Sequence, residues 1–243
     1  MDEPARPASG ASAAAWGVHL FTSLGVVVAF VALLAIERGE PREALLWLVL
    51  AMLIDGIDGT LARAARVRER LPQIDGEALD LVIDYLTYVF LPVLFIWRGG
   101  YLPDALAMPL CAAILSSSLY VFARRDMKTE DGYFRGFPAL WNVVAFYFFV
   151  LAAGETVSAL VVIALLIMTF APVHMVHPFR VRDFGPALPA LAILWALATP
   201  ALLVPTLSEG MRSALAVVSL GTALVLIALG LLRTARGARP APQ

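Results

Sequence analysis

Residues 45–97 read LLWLVLAMLIDGIDGTLARAARVRERLPQIDGEALDLVIDYLTYVFLPVLFIW. Two apolar runs, near 43–62 and 78–97, flank a polar link at 63–73. Each is long enough for a bilayer-crossing helix, which takes about 20 residues, and so short a link makes the two helices antiparallel neighbours. Further runs of this kind lie near 16–36, 103–123, 137–153, 156–176, 184–204 and 213–232. Composition agrees: of 243 residues, 60% are apolar and 15% charged, against about 45–50% and 25% in a soluble domain. That leaves too little polar surface to face water. The expected fold is all-α, a polytopic membrane helix bundle of about eight transmembrane helices.

The links between runs differ in charge. One side carries Arg6, Arg63, Arg66, Arg68, Arg70, Arg124, Arg125, Lys128, Arg135, Arg180, Arg182, Arg233, Arg236 and Arg239. The other carries only Arg38, Arg42, Arg98 and Arg212. Lys and Arg accumulate in cytoplasmic loops, so both termini are expected in the cytoplasm, which an even number of spans satisfies. Residues 1–14, MDEPARPASGASAA, lack the basic segment and short apolar core of a signal peptide. They are expected as a disordered leader, with 15–233 as a single transmembrane domain and 234–243 as a C-terminal tail. A net charge of −1 offers no basic field for nucleic acid. The lone Cys111 excludes an internal disulfide and any Cys-based metal site.

Carboxylates inside a bilayer are costly unless paired or facing water, which makes each one a functional hypothesis. Asp55 and Asp58 are three residues apart near the end of one span, and Asp80 and Asp84 four apart near the start of the next. Each pair therefore shares a helix face, and two adjacent helices can bring four carboxylates around one centre. So many anions need protons or cations. All-oxygen ligation suits Mg²⁺, Mn²⁺ or Ca²⁺. Gly56, Gly59, Gly76 and Ala62 keep side-chain bulk away from that face, and Arg63 lies one turn beyond Gly59, where it can meet a phosphate. Asp75, at the end of a span, reads as an interfacial anchor or a helix N-cap. A cation channel or transporter would also use intramembrane acids, but it does not explain the glycines beside them.

Written out, the segment is Asp55-x2-Asp58-Gly59-x2-Ala62-Arg63-x12-Gly76-x3-Asp80-x3-Asp84. This resembles the signature of the CDP-alcohol phosphotransferases, with every fixed position filled. The resemblance implies an enzyme in which an alcohol displaces CMP from a CDP-activated substrate. It makes Asp55, Asp58 and Asp80 ligands of a pair of divalent cations, and Asp84 both ligand and general base. Gly59 and Ala62 would line the cytidine pocket, Gly76 would adjoin the substrate, and Arg63 would contact phosphates. Members of that family typically have six spans, so two extra spans are a departure. Many are homodimers, an assembly the resemblance extends to this chain although no residue here fixes an interface.

Three further stretches, VHLFT (18–22), RGFPALWNVVAFYFF (135–149) and VHPFRVRD (176–183), together with the span count, are similar to the bacterial phosphatidylcholine synthases within that family. This second resemblance implies CDP-diacylglycerol and choline as substrates, CMP as product, Mn²⁺ or Mg²⁺ as cofactor, and the inner membrane with its site near the cytoplasmic side. Serine, inositol phosphate or glycerol phosphate are the alternative acceptors. A quaternary ammonium is held by aromatic faces, so Tyr85, Tyr88, Tyr120, Tyr133 and Trp141 are candidates, although Tyr and Trp also form interfacial belts. Asn142 either bridges helices or orients substrate. Arg124 with Arg125, Arg135, and Arg180 with Arg182 are candidates for the lipid headgroup. His174 and His177 read as interfacial or structural, Ser116 to Ser118 as helix packing, and Thr22 as a hydroxyl satisfied by its own helix.

Overall fold

The computed structural model describes residues 9–237, so residues 1–8 of the expected leader and the last six of the tail lie outside the described residues. The chain divides between Gly99 and Gly100 into two compact units.

The first unit is built on a helical hairpin of α1 (Ser9–Glu37) and α2 (Pro41–Ala64). Ala29, Ala32 and Ala35 on α1 and Ala44 and Ala51 on α2 are buried, and small side chains are what let apolar helices approach closely. The turn uses Gly39 at φ +70°, a conformation that costs glycine little. Pro41 then opens α2, where the missing N–H is no loss. α1 begins at Ser9, which corrects the leader: its last six residues, SGASAA, are helical because alanine is the strongest helix former. A short α3 (Val67–Arg70) follows, with Val67 and Leu71 packed on Ala15.

The third long helical segment runs as α4 (Gly76–Asp84), a π-helical turn (Tyr85–Phe90) and α5 (Leu91–Arg98). Asp75 caps it, the second of its two expected roles, accepting from the N–H groups of Glu77 and Ala78 at 3.0 and 3.1 Å. The wide turn has a cause in Pro92. A proline ring inside a helix presses on the carbonyl four residues earlier, here Tyr88, and donates no hydrogen bond. Widening the preceding turn relieves both. Thr87 adds a bond from its hydroxyl to the Ile83 carbonyl, 3.0 Å. At the far end Arg98 is paired with Glu37, joining α5 to α1.

The second unit holds α6 (Asp104–Ala123), β1 (Phe134–Arg135), α7 (Trp141–Val150), α8 (Glu155–Phe170), β2 (His174–Met175), α9 (Ala187–Ala201) and α10 (Glu209–Arg236). β1 and β2 pair antiparallel, Phe134 with Met175 and Arg135 with His174, a small addition to an otherwise helical chain. α10 passes so close to β2 that a Cβ on Gly230 would lie 2.4 Å from the His174 carbonyl oxygen. α10 also runs three residues into the expected tail, and Thr234 Oγ1 accepts from the His174 N–H at 2.7 Å. Arg233 donates to Asp131 at 2.8 Å and lies over the Tyr133 ring, while the Tyr133 hydroxyl donates to Asp183 at 3.0 Å. A partly buried polar chain links three helices: Trp195 Nε1 to Tyr147 Oη, 2.9 Å, then Ser219 Oγ, 2.8 Å, then Thr199 Oγ1, 2.6 Å.

Among the described residues five helical segments are long and apolar enough to cross a membrane: Ala13–Glu37, Pro41–Ala64, Gly76–Arg98, Asp104–Ala123 and Glu209–Arg236. α7, α8 and α9 occupy the remaining apolar runs but are shorter. Leu20, Val27, Phe30, Leu119, Leu197 and Val217 stand exposed, as lipid-facing side chains do.

Candidate active site

The site lies in the first unit and is assembled by α2 and α4. Asp55 lies on α2 and Asp80 and Asp84 on α4, and one carboxylate oxygen from each lies within 4.8 Å of the others. Asp80 and Asp84, four apart, project from one face of α4, and Tyr88 continues that face one turn on. Its hydroxyl donates to Asp55 Oδ2 at 2.6 Å, so Tyr88 orients an acid on the neighbouring helix. Asp84 Oδ1 is buried without a hydrogen-bond partner. Three clustered carboxylates and an orphaned buried oxygen are a donor set suited to a hard divalent cation, so the residues fit the metal that the motif implies.

Asp58 stands outside this cluster. It is 5% exposed and accepts a hydrogen bond from Thr22 on α1. Thr22 is therefore not satisfied by its own helix alone; the hydroxyl turns to a carboxylate, a partner stronger than a carbonyl. Gly59 lies beside Arg63, whose Nη1 is 3.4 Å from where a Cβ would be, and the exposed Arg63 holds Thr60 Oγ1 at 3.0 Å. Gly56 faces open space. Ala62 packs on the cluster of Ala15, Val67 and Leu71. Gly76 meets His19 of α1, whose Cε1 is 3.3 Å from the place of a Cβ.

Tyr85 is half-buried in the π-helical turn next to Asp84. The other candidates lie in the second unit. Trp141 is fully buried, with its indole N–H on Ser118 Oγ at 2.9 Å, so its polar edge is occupied by the serine run expected to pack helices. Asn142 is buried too, and its Oδ1 accepts from the Val143 N–H at 2.9 Å. Arg124 forks onto Asp126 through two bonds of 3.0 Å, while Arg135 and Arg180 are exposed.

His177 stacks on Phe134 at 5.3 Å. Burial, then the charges of Lys128 and Arg180, pushes its pKa down from 6.5 to about 4. Between those values the unfolded chain binds the proton more readily, so stability is unaffected above pH 6.5 and falls as pH drops towards 4. The melting midpoint of H177F relative to the unmodified protein should thus rise from about pH 7 to about pH 5. A gap that does not change with pH would show that this ring titrates normally. A second expectation concerns Tyr88: Y88F leaves the ring and removes the bond to Asp55. Loss of such an outer partner costs roughly ten- to hundredfold in metal affinity, to be read from Mn²⁺ titrations; an unchanged affinity would separate Tyr88 from the centre.

A helical membrane protein with an acidic centre suited to divalent cations is the class that this fold and site define. The CDP-alcohol phosphatidyltransferase family matches residues 18–171, and the chain belongs to it. The chain is 49% identical over 192 residues to "Phosphatidylcholine synthase" of Pseudomonas aeruginosa, covering 79% of this chain and 81% of that one. It is 41% identical over 192 residues to the protein of the same name from Bradyrhizobium diazoefficiens (79% and 72%), and 37% over 169 residues to that of Borreliella burgdorferi (70% and 72%).

Proposed function

We propose that this protein transfers the phosphatidyl group of CDP-diacylglycerol to choline and releases CMP. The meeting of Asp55, Asp80 and Asp84 in one small volume supports the chemistry; the relatives' shared name supports the acceptor. Asp55, Asp80 and Asp84 would hold the divalent cations, two Mn²⁺ or Mg²⁺, with Asp58 as the fourth carboxylate. Such cations supply charge neutralisation at the diphosphate and at the departing phosphate. Asp84 accepts the choline hydroxyl proton through a buried oxygen, since an alcohol at neutral pH is a poor nucleophile without a base. The freed oxygen bonds to the phosphorus that carries diacylglycerol, and the bond from that phosphorus to CMP breaks. Arg63 reaches the phosphates, and Gly59, Ala62 and Gly76 keep the approach of the nucleotide clear. Tyr85, beside Asp84, offers an aromatic face to the quaternary ammonium. Arg135 and Arg180, and Arg124 shared with Asp126, serve anionic lipid headgroups.

We further infer that α7, α8 and α9 complete eight crossings with both ends in the cytoplasm of a bacterial inner membrane, as one catalytic membrane domain. Fourteen of the 18 Lys and Arg residues fall on one set of links. The family resemblance adds a homodimer, to be checked by mass photometry in nanodiscs.

The deciding assay uses purified protein, labelled CDP-diacylglycerol, and a panel of choline, serine, inositol phosphate and glycerol phosphate, with Mn²⁺ or Mg²⁺ and an EDTA control. Choline-dependent, metal-dependent CMP release is expected. Release with a different alcohol alone would overturn the acceptor, and no release with any of them would overturn the transferase.

A further inference from the structure

Among the described residues three buried side-chain polar atoms have no hydrogen-bond partner: Asp84 Oδ1, His19 Nε2 and Ser158 Oγ. The first belongs to the reaction above. His19 lies in the same unit and has no role there, although its side chain is almost as buried as the core, at 7% exposure. Its ring meets Trp16 edge-on, 6.4 Å between centroids, and its Cε1 lies 3.3 Å from where Gly76 would carry a Cβ. Cε1 is bonded to Nε2, so the unpartnered nitrogen sits beside Gly76, one turn before Asp80 on α4. Thr22, three residues after His19 and on the same face of α1, holds Asp58. α1 thus presents two polar side chains to the acidic site. Gly76 acquires a physical reason: any side chain there would press on the imidazole.

We propose that His19 contacts substrate directly, its Nε2–H donating to the nucleotide part of CDP-diacylglycerol. This rests on the transferase reading above. The other candidates for the bond are weaker. Acyl chains have no acceptor, and a quaternary ammonium has neither donor nor acceptor. The choline hydroxyl belongs at Asp84, two turns further along α4. His19 and Gly76 lie towards the link of residues 63–75, the end that also carries Arg63, and the soluble half of the donor substrate is its nucleotide.

The test is binding of labelled CMP in the presence of Mn²⁺ to the purified full chain and to H19A, H19Q and H19N. H19A should bind CMP about tenfold more weakly, the scale of one hydrogen bond to a charged group. It should raise the KM for CDP-diacylglycerol and leave that for choline unchanged. Gln places its amide nitrogen where Nε2 stands and should recover most of the affinity; Asn, which reaches only as far as Nδ1, should not. Undiminished CMP binding by H19A, or equal recovery by Asn and Gln, would overturn the proposal. Should H19A fail to fold, the Gln and Asn variants decide alone. Failure of the unmodified protein to bind or release CMP is a separate result and would remove the transferase reading itself.

Discussion

Asp84→Asn is expected to lower turnover by roughly three orders of magnitude, within the range that a positioned general base contributes, while CMP still binds. The substitution keeps the shape of the side chain and its place on α4 and removes the basic oxygen that lies buried without a partner. Because Asp84 is also one of the three clustered acids, the measurement belongs at saturating Mn²⁺, where a weakened site is still filled. Turnover should then lose its dependence on deprotonation of a single group, flattening the acidic limb of the rate profile. Near-normal turnover would move the base elsewhere; loss of CMP binding together with turnover would make Asp84 a ligand only.

Asp80→Asn should act on the metal with opposite signs in its presence and absence. Three carboxylate oxygens within 4.8 Å repel one another when nothing lies between them. Neutralising one relieves the metal-free protein, which should melt at a higher temperature than the unmodified chain under EDTA. The same change removes an anionic donor. Since outer partners alone are worth about ten- to hundredfold, Mn²⁺ affinity should fall by more than about a hundredfold, and the metal-dependent rise in melting temperature should vanish. Calorimetric titration and paired melting curves read both effects. If the EDTA melting point drops instead, Asp80 is a structural residue and the acidic cluster is not held together by a cation.

Much of this site was legible because helical spacing is rigid. Asp80 and Asp84 could only share a face, a short link could only set their helix beside that of Asp55, and of the two roles open to Asp75, anchor or cap, the structure shows the cap. Asp58 illustrates the limit. Spacing places it with Asp55, yet a hydroxyl from a third helix holds it, and no pattern within residues 55–84 contains that partner. His19 and Thr22 carried a weak signal, polar residues three apart in an apolar run, but which way that face turns depends on how α1 packs against α2 and α4. Trp141 shows a related limit: interfacial position is readable, whereas a serine waiting at 2.9 Å is not. Each expected apolar run holds an apolar helix among the described residues, but three of these helices are shorter than their runs, since proline and glycine at their edges turn apolar sequence into irregular chain.

The widened turn at Tyr85–Phe90 makes α4 and α5 two differently phased halves of a single rod. In an ordinary helix each residue advances the azimuth by about 100°, so a surplus residue decouples what lies on either side. Asp80 and Asp84 can be aimed by one half and Tyr88 by the widened turn itself, while Phe95 and Ile96 in the other half keep their own inward bearing. Deleting a single residue there would re-clock the reactive end against its anchor without altering any side chain that does chemistry.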